Sequence, residues 1–212
     1  MKLSYHNSCL DEQDIVLLND GCWLNDKVIG FMFEYFENDV FKELEERVSF
    51  VSPEVSQFIK LVSDPQEVSI FLDPLDLRNK EYIFMAVNDN EENSCGGSHW
   101  SLLVYYRLSS SFIHYDSCGS FNNKAALSLA TKVYSSIQKD TREELNVIQG
   151  KCSRQNNGYD CGVYAISFVE ELCNLIKETD KIEIEQLLDI PVSRILEQRN
   201  RMKDIIQSLM KQ

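Results

Sequence analysis

The stretch Val163-Tyr164-Ala165-Ile166-Ser167-Phe168-Val169, which stays largely apolar to Ile176, constrains the fold more than any other part of this chain. A segment so apolar, and long enough for several turns, reads as a helix buried inside the protein. The residues leading into it are Gln155-Asn156-Asn157-Gly158-Tyr159-Asp160-Cys161-Gly162. Cys161 therefore stands where the helix begins. The first N–H groups of a helix lack partners and its dipole is positive there, so that end favours an anion. A thiolate is an anion, and the position suits a nucleophile.

A buried helix needs a core around it. The chain has 212 residues, of which 43% are hydrophobic, enough for one large domain or two small ones and too apolar for disorder. No internal repeat, low-complexity tract or Pro/Gly-rich linker breaks it, so a single domain over residues 1–212 is the simplest reading.

Elements can be placed around that helix. Leu24 to Phe36 reads as a helix capped by Asn25, with Val28, Ile29, Met32, Phe33 and Phe36 as its apolar stripe. Short helices are expected after Ser52-Pro53 and Asp64-Pro65, with proline at the first helical position. Tyr82 to Val87 is a short apolar run typical of a buried strand. Asn88 to Gly97 is a polar loop, His99 to Tyr106 a second strand and Ser111 to Asp116 a third, with serines 109 to 111 turning between them as in a meander. Asn123 to Gln138 reads as helix and Leu145 to Ile148 as a further strand; Pro191 opens a last amphipathic helix through Met210. Helices, then a compact sheet, then helices make an α+β fold rather than an alternating βαβ one.

Charge narrows the partners. A net charge of −13 argues against nucleic acid, whose phosphates need a basic face. No apolar run is long enough for a membrane span, and Met1 to His6 leads into polar sequence rather than a signal peptide. Cysteines stand at 9, 22, 95, 118, 152, 161 and 173. An odd number with no C-x-x-C pair and few histidines reads as free thiols in a reducing compartment, cytosol or nucleus, with no structural zinc.

A cysteine hydrolase needs a thiolate, an imidazole, a group to orient the imidazole, and donors for the oxyanion. His99 begins one strand and Asp116 ends the next. If these strands pair as a hairpin, both residues lie at the same end of the sheet. Gln155 precedes Cys161 by a short loop, where its amide and the Cys161 N–H can donate into one site. Each residue also has a plain structural reading: Cys161 as core, His99 as a packed histidine, Asp116 as a turn former. His114, on the strand that ends at Asp116, competes with His99. Cys118 and Cys152 are rival nucleophiles without a helix end.

The motifs Trp23-Leu24-Asn25-Asp26, Gly97-Ser98-His99-Trp100-Ser101, His114-Tyr115-Asp116-Ser117 and Gln155 to Gly162 resemble the ubiquitin-like-protein proteases of the sentrin-specific or Ulp type, relatives of the adenovirus protease. Phe50 to Val55, Phe71 to Leu77 and Val87 to Asn90 resemble the deneddylase branch of that family. The resemblance implies a papain-like fold with a central, mostly antiparallel sheet flanked by helices. It implies Cys161, His99 and Asp116 as a triad, Gln155 as oxyanion donor, and no cofactor or metal. Trp23 and Trp100 would flank the modifier's Gly-Gly tail, a slot that admits two residues without side chains; core packing is the alternative for both. Asp26 would lie near the arginine-bearing part of the tail, or serve as a helix N-terminal charge. The Asn88 to Gly97 loop, acidic at Glu91 and Glu92, would close over it. The expected activity is that of a thiol protease, acting as a monomer, which matures the neddylation modifier and releases it from conjugates such as cullins. SUMO or ubiquitin as the modifier, acyl transfer on the same layout, and non-catalytic binding of a ubiquitin-like protein are the alternatives.

Overall fold

The computed structural model describes residues 2–92, 94, 96–137 and 144–211. Gln138, the expected end of one helix, and Asn93 and Cys95 of the acidic loop lie outside the described residues. The order of elements is a small hairpin β1 (Leu3–Tyr5) and β2 (Ser8–Leu10), helices α1 (Glu12–Val16) and α2 (Asp26–Tyr35), and strand β3 (Val48–Val51). Then come α3 (Pro53–Leu61), α4 (Pro65–Leu72), β4 (Tyr82–Asn88), β5 (Trp100–Tyr106) and β6 (Ser111–Tyr115). Helix α5 (Asn123–Ile137), strand β7 (Asn146–Gln149) and helices α6 (Cys161–Thr179) and α7 (Val192–Leu209) complete it.

Strands β3 to β7 form one sheet in sequence order. The centre is the antiparallel meander expected from β4, β5 and β6. The outer strands differ from the expectation of a mostly antiparallel sheet: β3 pairs parallel to β4, and β7 parallel to β6. Both outer connections run through helices, α3 and α4 on one side and α5 on the other, and a crossover of that kind returns the chain parallel.

The sheet is covered on both faces, which is why its strands read as unbroken apolar runs rather than alternating ones. The alternation survives in where each residue points. Phe84, Ala86, Leu102 and Val104 join the core under α2, α6 and α7. Ile83, Met85, Val87, Leu103 and Tyr105 join the core under α3, α4 and α5. Within α6, the acidic Glu170 and Glu171 that interrupt the apolar run face α7, where Arg201 and Arg194 meet them at 2.5 and 2.6 Å. Among the described residues no helix is long and apolar enough to cross a membrane.

The helix starts follow the expected chemistry. The Asn25 side chain accepts from Val28 N at 3.0 Å to cap α2, and Ser52 caps α3 ahead of Pro53. Asn25 also donates to the buried Asp14 at 2.8 Å, which ties α1 to α2. Asn25→Ala removes both bonds and leaves Asp14 short of a donor. Urea unfolding should show a lower midpoint at unchanged slope, a loss of about 1–2 kcal/mol.

Candidate active site

The register that pairs Leu102 with Tyr115 sets the start of β5 beside the end of β6. His99 and Asp116 meet there, with Nε2 and Oδ1 2.7 Å apart and both residues buried. Asp116 takes two backbone donors as well: Cys118 N at 2.8 Å on Oδ1 and Asn122 N at 2.9 Å on Oδ2. Burial opposes its charge, but the hydrogen bonds from His99 and Asn122 outweigh burial and hold the carboxyl below its ordinary range.

The Cys161 side chain also favours the charged form of His99. Cys161 is the first residue of α6 and is buried. Burial pulls the imidazole down, yet the bond to Asp116 and the influence of Cys161 win and raise it to about 9. The resting imidazole therefore carries a proton at neutral pH, as a thiolate–imidazolium pair requires.

The rivals drop out on position and charge. His114 lies behind the pair: its Nε2 is 2.9 Å from Ser101 Oγ and its Nδ1 3.1 Å from Asn123 Oδ1, and burial pushes it down. The Cys118 thiol is raised by burial and by Asp116, and burial pushes the Cys152 thiol up to about 11. A donor atom of Cys118 lies within 4.8 Å of those of His99 and Asp116. The latter two already bond each other, which is the arrangement of an oriented imidazole rather than of an open metal centre.

Gln155 is fixed at both ends of its amide. Its Oε1 accepts from Ser117 Oγ at 2.6 Å, and its Nε2 donates to Asn157 O at 2.7 Å, which leaves a second N–H to give. Asp160, the residue before the helix, makes no side-chain cap bond, so the first N–H groups of α6 are not taken by it.

A cleft of about 1060 Å³ leads to Cys161 between the α1–α2 segment on one side and α3 with the 88–100 segment on the other. Trp23 and Trp100 both line it. Trp23, 54% exposed, donates its indole N–H to Gly158 O at 2.6 Å. Trp100 donates to Leu24 O at 3.0 Å. Each ring is thus aimed by its polar edge, and Trp100 also packs against the main core. Asp26 is exposed at the start of α2 and borders the same cleft, together with Glu54 and Glu92.

Three anchors of the 88–98 loop were not visible in the sequence reading. Asp89 accepts from Ser98 N at 2.6 Å and from His99 N at 3.0 Å, closing the loop onto the start of β5. The buried Lys60 donates to Asn88 O and Asn90 O and, through burial, falls to about 8. Asn122, also buried, donates to Val87 O, His99 O and Ser101 Oγ. Gly97 has a φ of +92°, and a Cβ there would stand 1.9 Å from Asn88 Oδ1. Only the Gly96-Gly97 pair hinted at this in advance.

Residues 22–195 match the Ulp1 protease family, C-terminal catalytic domain. The chain is 43% identical over 209 residues to sentrin-specific protease 8 of Homo sapiens, covering 99% of this chain and 97% of that one. It is 32% identical over 176 residues to NEDD8-specific protease 1 of Arabidopsis thaliana, covering 81% and 74%. Among solved structures it is similar to the C-terminal Ulp1 protease domain in complex with Smt3, the yeast ortholog of SUMO. That match has a TM-score of 0.73 at 17% identity and covers 100% of this chain and 89% of the other, a likeness of fold.

The raised imidazole has a sign that can be checked. His99 should titrate near 9 by ring ¹⁵N NMR. Asp116→Asn removes the charge and weakens the bond while burial stays, so the titration should fall by more than one unit. Because the folded value lies above the unfolded one of about 6.5, protonation of His99 stabilises the fold fully below about 6.5, down to the pH at which Asp116 itself takes up a proton. That stabilisation is lost as the pH rises through about 9.

Proposed function

The chain belongs to the Ulp1 protease family, and on that premise we propose that this cysteine protease cleaves after the C-terminal Gly-Gly of NEDD8. The observation that carries the chemistry is the continuous line Asp116–His99–Cys161 at the open start of α6. The relatives named NEDD8-specific support the choice of modifier.

The Cys161 thiolate attacks the carbonyl carbon of the last glycine. Negative charge gathers on the carbonyl oxygen, and the Cys161 N–H and the free N–H of Gln155 Nε2 stabilise it. As the tetrahedral intermediate collapses, the C–N bond breaks and the His99 imidazolium gives its proton to the leaving amine. Asp116 keeps Nε2 engaged throughout, so the other ring nitrogen faces sulfur and leaving group. Water then enters, His99 takes its proton, and the thioester breaks to release the modifier's carboxylate and regenerate the thiolate.

Specificity follows from the walls. Trp23 and Trp100 leave a slot for residues without side chains, so Gly-Gly reaches the sulfur where bulkier residues clash. Asp26, with Glu54 and Glu92, sets negative charge along the approach, which suits a basic tail. Precursor and conjugates, those of cullins included, offer the same glycine carbonyl, so both fit one site. The proposed form is a monomer and the proposed setting the reducing cytosol or nucleus, where unpaired thiols such as those of the described cysteines persist.

Cys161→Ala should abolish turnover of a NEDD8 C-terminal fluorogenic substrate while the protein still binds NEDD8. In a panel of NEDD8, SUMO and ubiquitin reporters, kcat/KM should be highest for NEDD8. A clear preference for another modifier would overturn the choice of substrate and leave the chemistry in place. Trp23→Ala should raise KM on the order of 10-fold, with a smaller change in kcat.

A further inference from the structure

Arg199, on α7, lies beyond the segment that matches the family. It is 4% exposed and reaches two parts of the cleft at once. Its Nε and Nη2 donate to Asp160 Oδ1 at 3.0 and 2.7 Å. Its Nη1 donates to Leu17 O at 2.9 Å and Asn19 O at 3.2 Å, and its Nη2 to Cys22 O at 2.7 Å. One guanidinium thus joins the residue before Cys161 to the turn before Trp23.

The position of Asp160 makes this bond consequential. An aspartate directly before a helix ordinarily turns its carboxylate onto the first N–H groups. Here it makes no such bond. Oδ1 goes to Arg199 and Oδ2 accepts from Asn157 Nδ2 at 2.7 Å. Asn157 in turn receives the Gln155 amide on its carbonyl at 2.7 Å. A continuous chain of hydrogen bonds therefore runs from Arg199 through Asp160 and Asn157 to Gln155.

We propose that Arg199 is a positioning residue for catalysis: it holds the Asp160 carboxylate off the start of α6 and neutralises it, leaving those N–H groups to the oxyanion. The inference rests on the reading of Cys161 as nucleophile. Without Arg199, a buried carboxylate next to Cys161 has no cation. It opposes the thiolate and the oxyanion by like charge, and it is free to turn onto the helix N–H groups that the reaction needs. The same loss releases the carbonyls of Leu17, Asn19 and Cys22, and with them the placement of Trp23. Arg199 thus acts on two quantities, kcat through Asp160 and KM through the Trp23 turn.

The test is Arg199→Gln alone and with Asp160→Asn, which removes the charge that Arg199 would otherwise neutralise. Two readouts are taken on variants whose circular dichroism matches wild type: kcat and KM on the NEDD8 reporter, and the rate of iodoacetamide alkylation of the Cys161 peptide by mass spectrometry. Arg199→Gln should lower kcat and alkylation at least 10-fold and raise KM. Adding Asp160→Asn should restore most of kcat and alkylation but leave KM high, a split that general destabilisation does not produce. Wild-type alkylation in Arg199→Gln, or a folded double variant as slow as the single one, overturns the inference. Should the single variant not fold, a folded double variant alkylating within a few-fold of wild type supports the inference, and a slow one overturns it. Alkylation needs no modifier, so failure of the wild type on NEDD8 would count against the substrate and not against Arg199.

Discussion

The site depends on one carboxylate that has no access to water. Asp116 is 0% exposed, and removing such a charge from water costs several kcal/mol unless partners replace the solvent. Its three donors, His99 Nε2, Cys118 N and Asn122 N, come from the start of β5 and the turn after β6. The two backbone donors exist only if that turn has its native shape, and the imidazole arrives only if the hairpin has its native register. A slip of one residue would send His99 to the opposite face of the sheet. The cost of burying Asp116 is therefore also what makes the register strict, and the compensation it demands is what keeps His99 protonated.

The cleft shows the same use of polar edges to place apolar parts. Both tryptophans border it, and both are oriented by an indole N–H on a backbone carbonyl: Trp23 on Gly158, Trp100 on Leu24. The first of these bonds crosses from the wall of the cleft to the loop that leads into Cys161. The wall of the cleft and the loop before Cys161 are consequently set relative to each other. Opposite, the 88–98 segment is closed by Asp89 on Ser98 and His99 and supported from below by Lys60.

Much of this was legible in the residues, for identifiable reasons. Helix α6 and the meander are strong periodic signals, and α3 and α4 carry their own start signals in Ser52-Pro53 and Asp64-Pro65. The meeting of His99 with Asp116 followed from antiparallel pairing alone. Strand β3 did not show itself, because Val48 to Val51 is short and pairs with β4 across two intervening helices. The hairpin of β1 and β2 was equally silent, with three residues on each side. Lys60, Asn122 and Arg199 were missed for a different reason. Each is polar by type and buried by circumstance, and its partners are carbonyls and carboxylates far away in the chain, which no local pattern records. The bond from Arg199 to Leu17 O spans 182 positions.

In the proposed mechanism two effects would make Cys161 a nucleophile. A helix N-terminus offers a neighbouring anion about 0.3–1 kcal/mol, and about 2 kcal/mol when partly buried. Two opposite unit charges about 4 Å apart, at an effective dielectric of about 20, attract by about 4 kcal/mol. On that scale an ion pair outweighs a helix end as a source of thiolate stabilisation. The same arithmetic applies with opposite sign to Asp160. An unpaired carboxylate at the head of α6 would oppose a thiolate there by like charge. A helix can present a cysteine as nucleophile directly after an aspartate only if that aspartate is already matched, and in this fold the matching cation is supplied by α7. The C-terminal helix, which lines no part of the cleft, is in this way bound to the electrostatics of the sulfur.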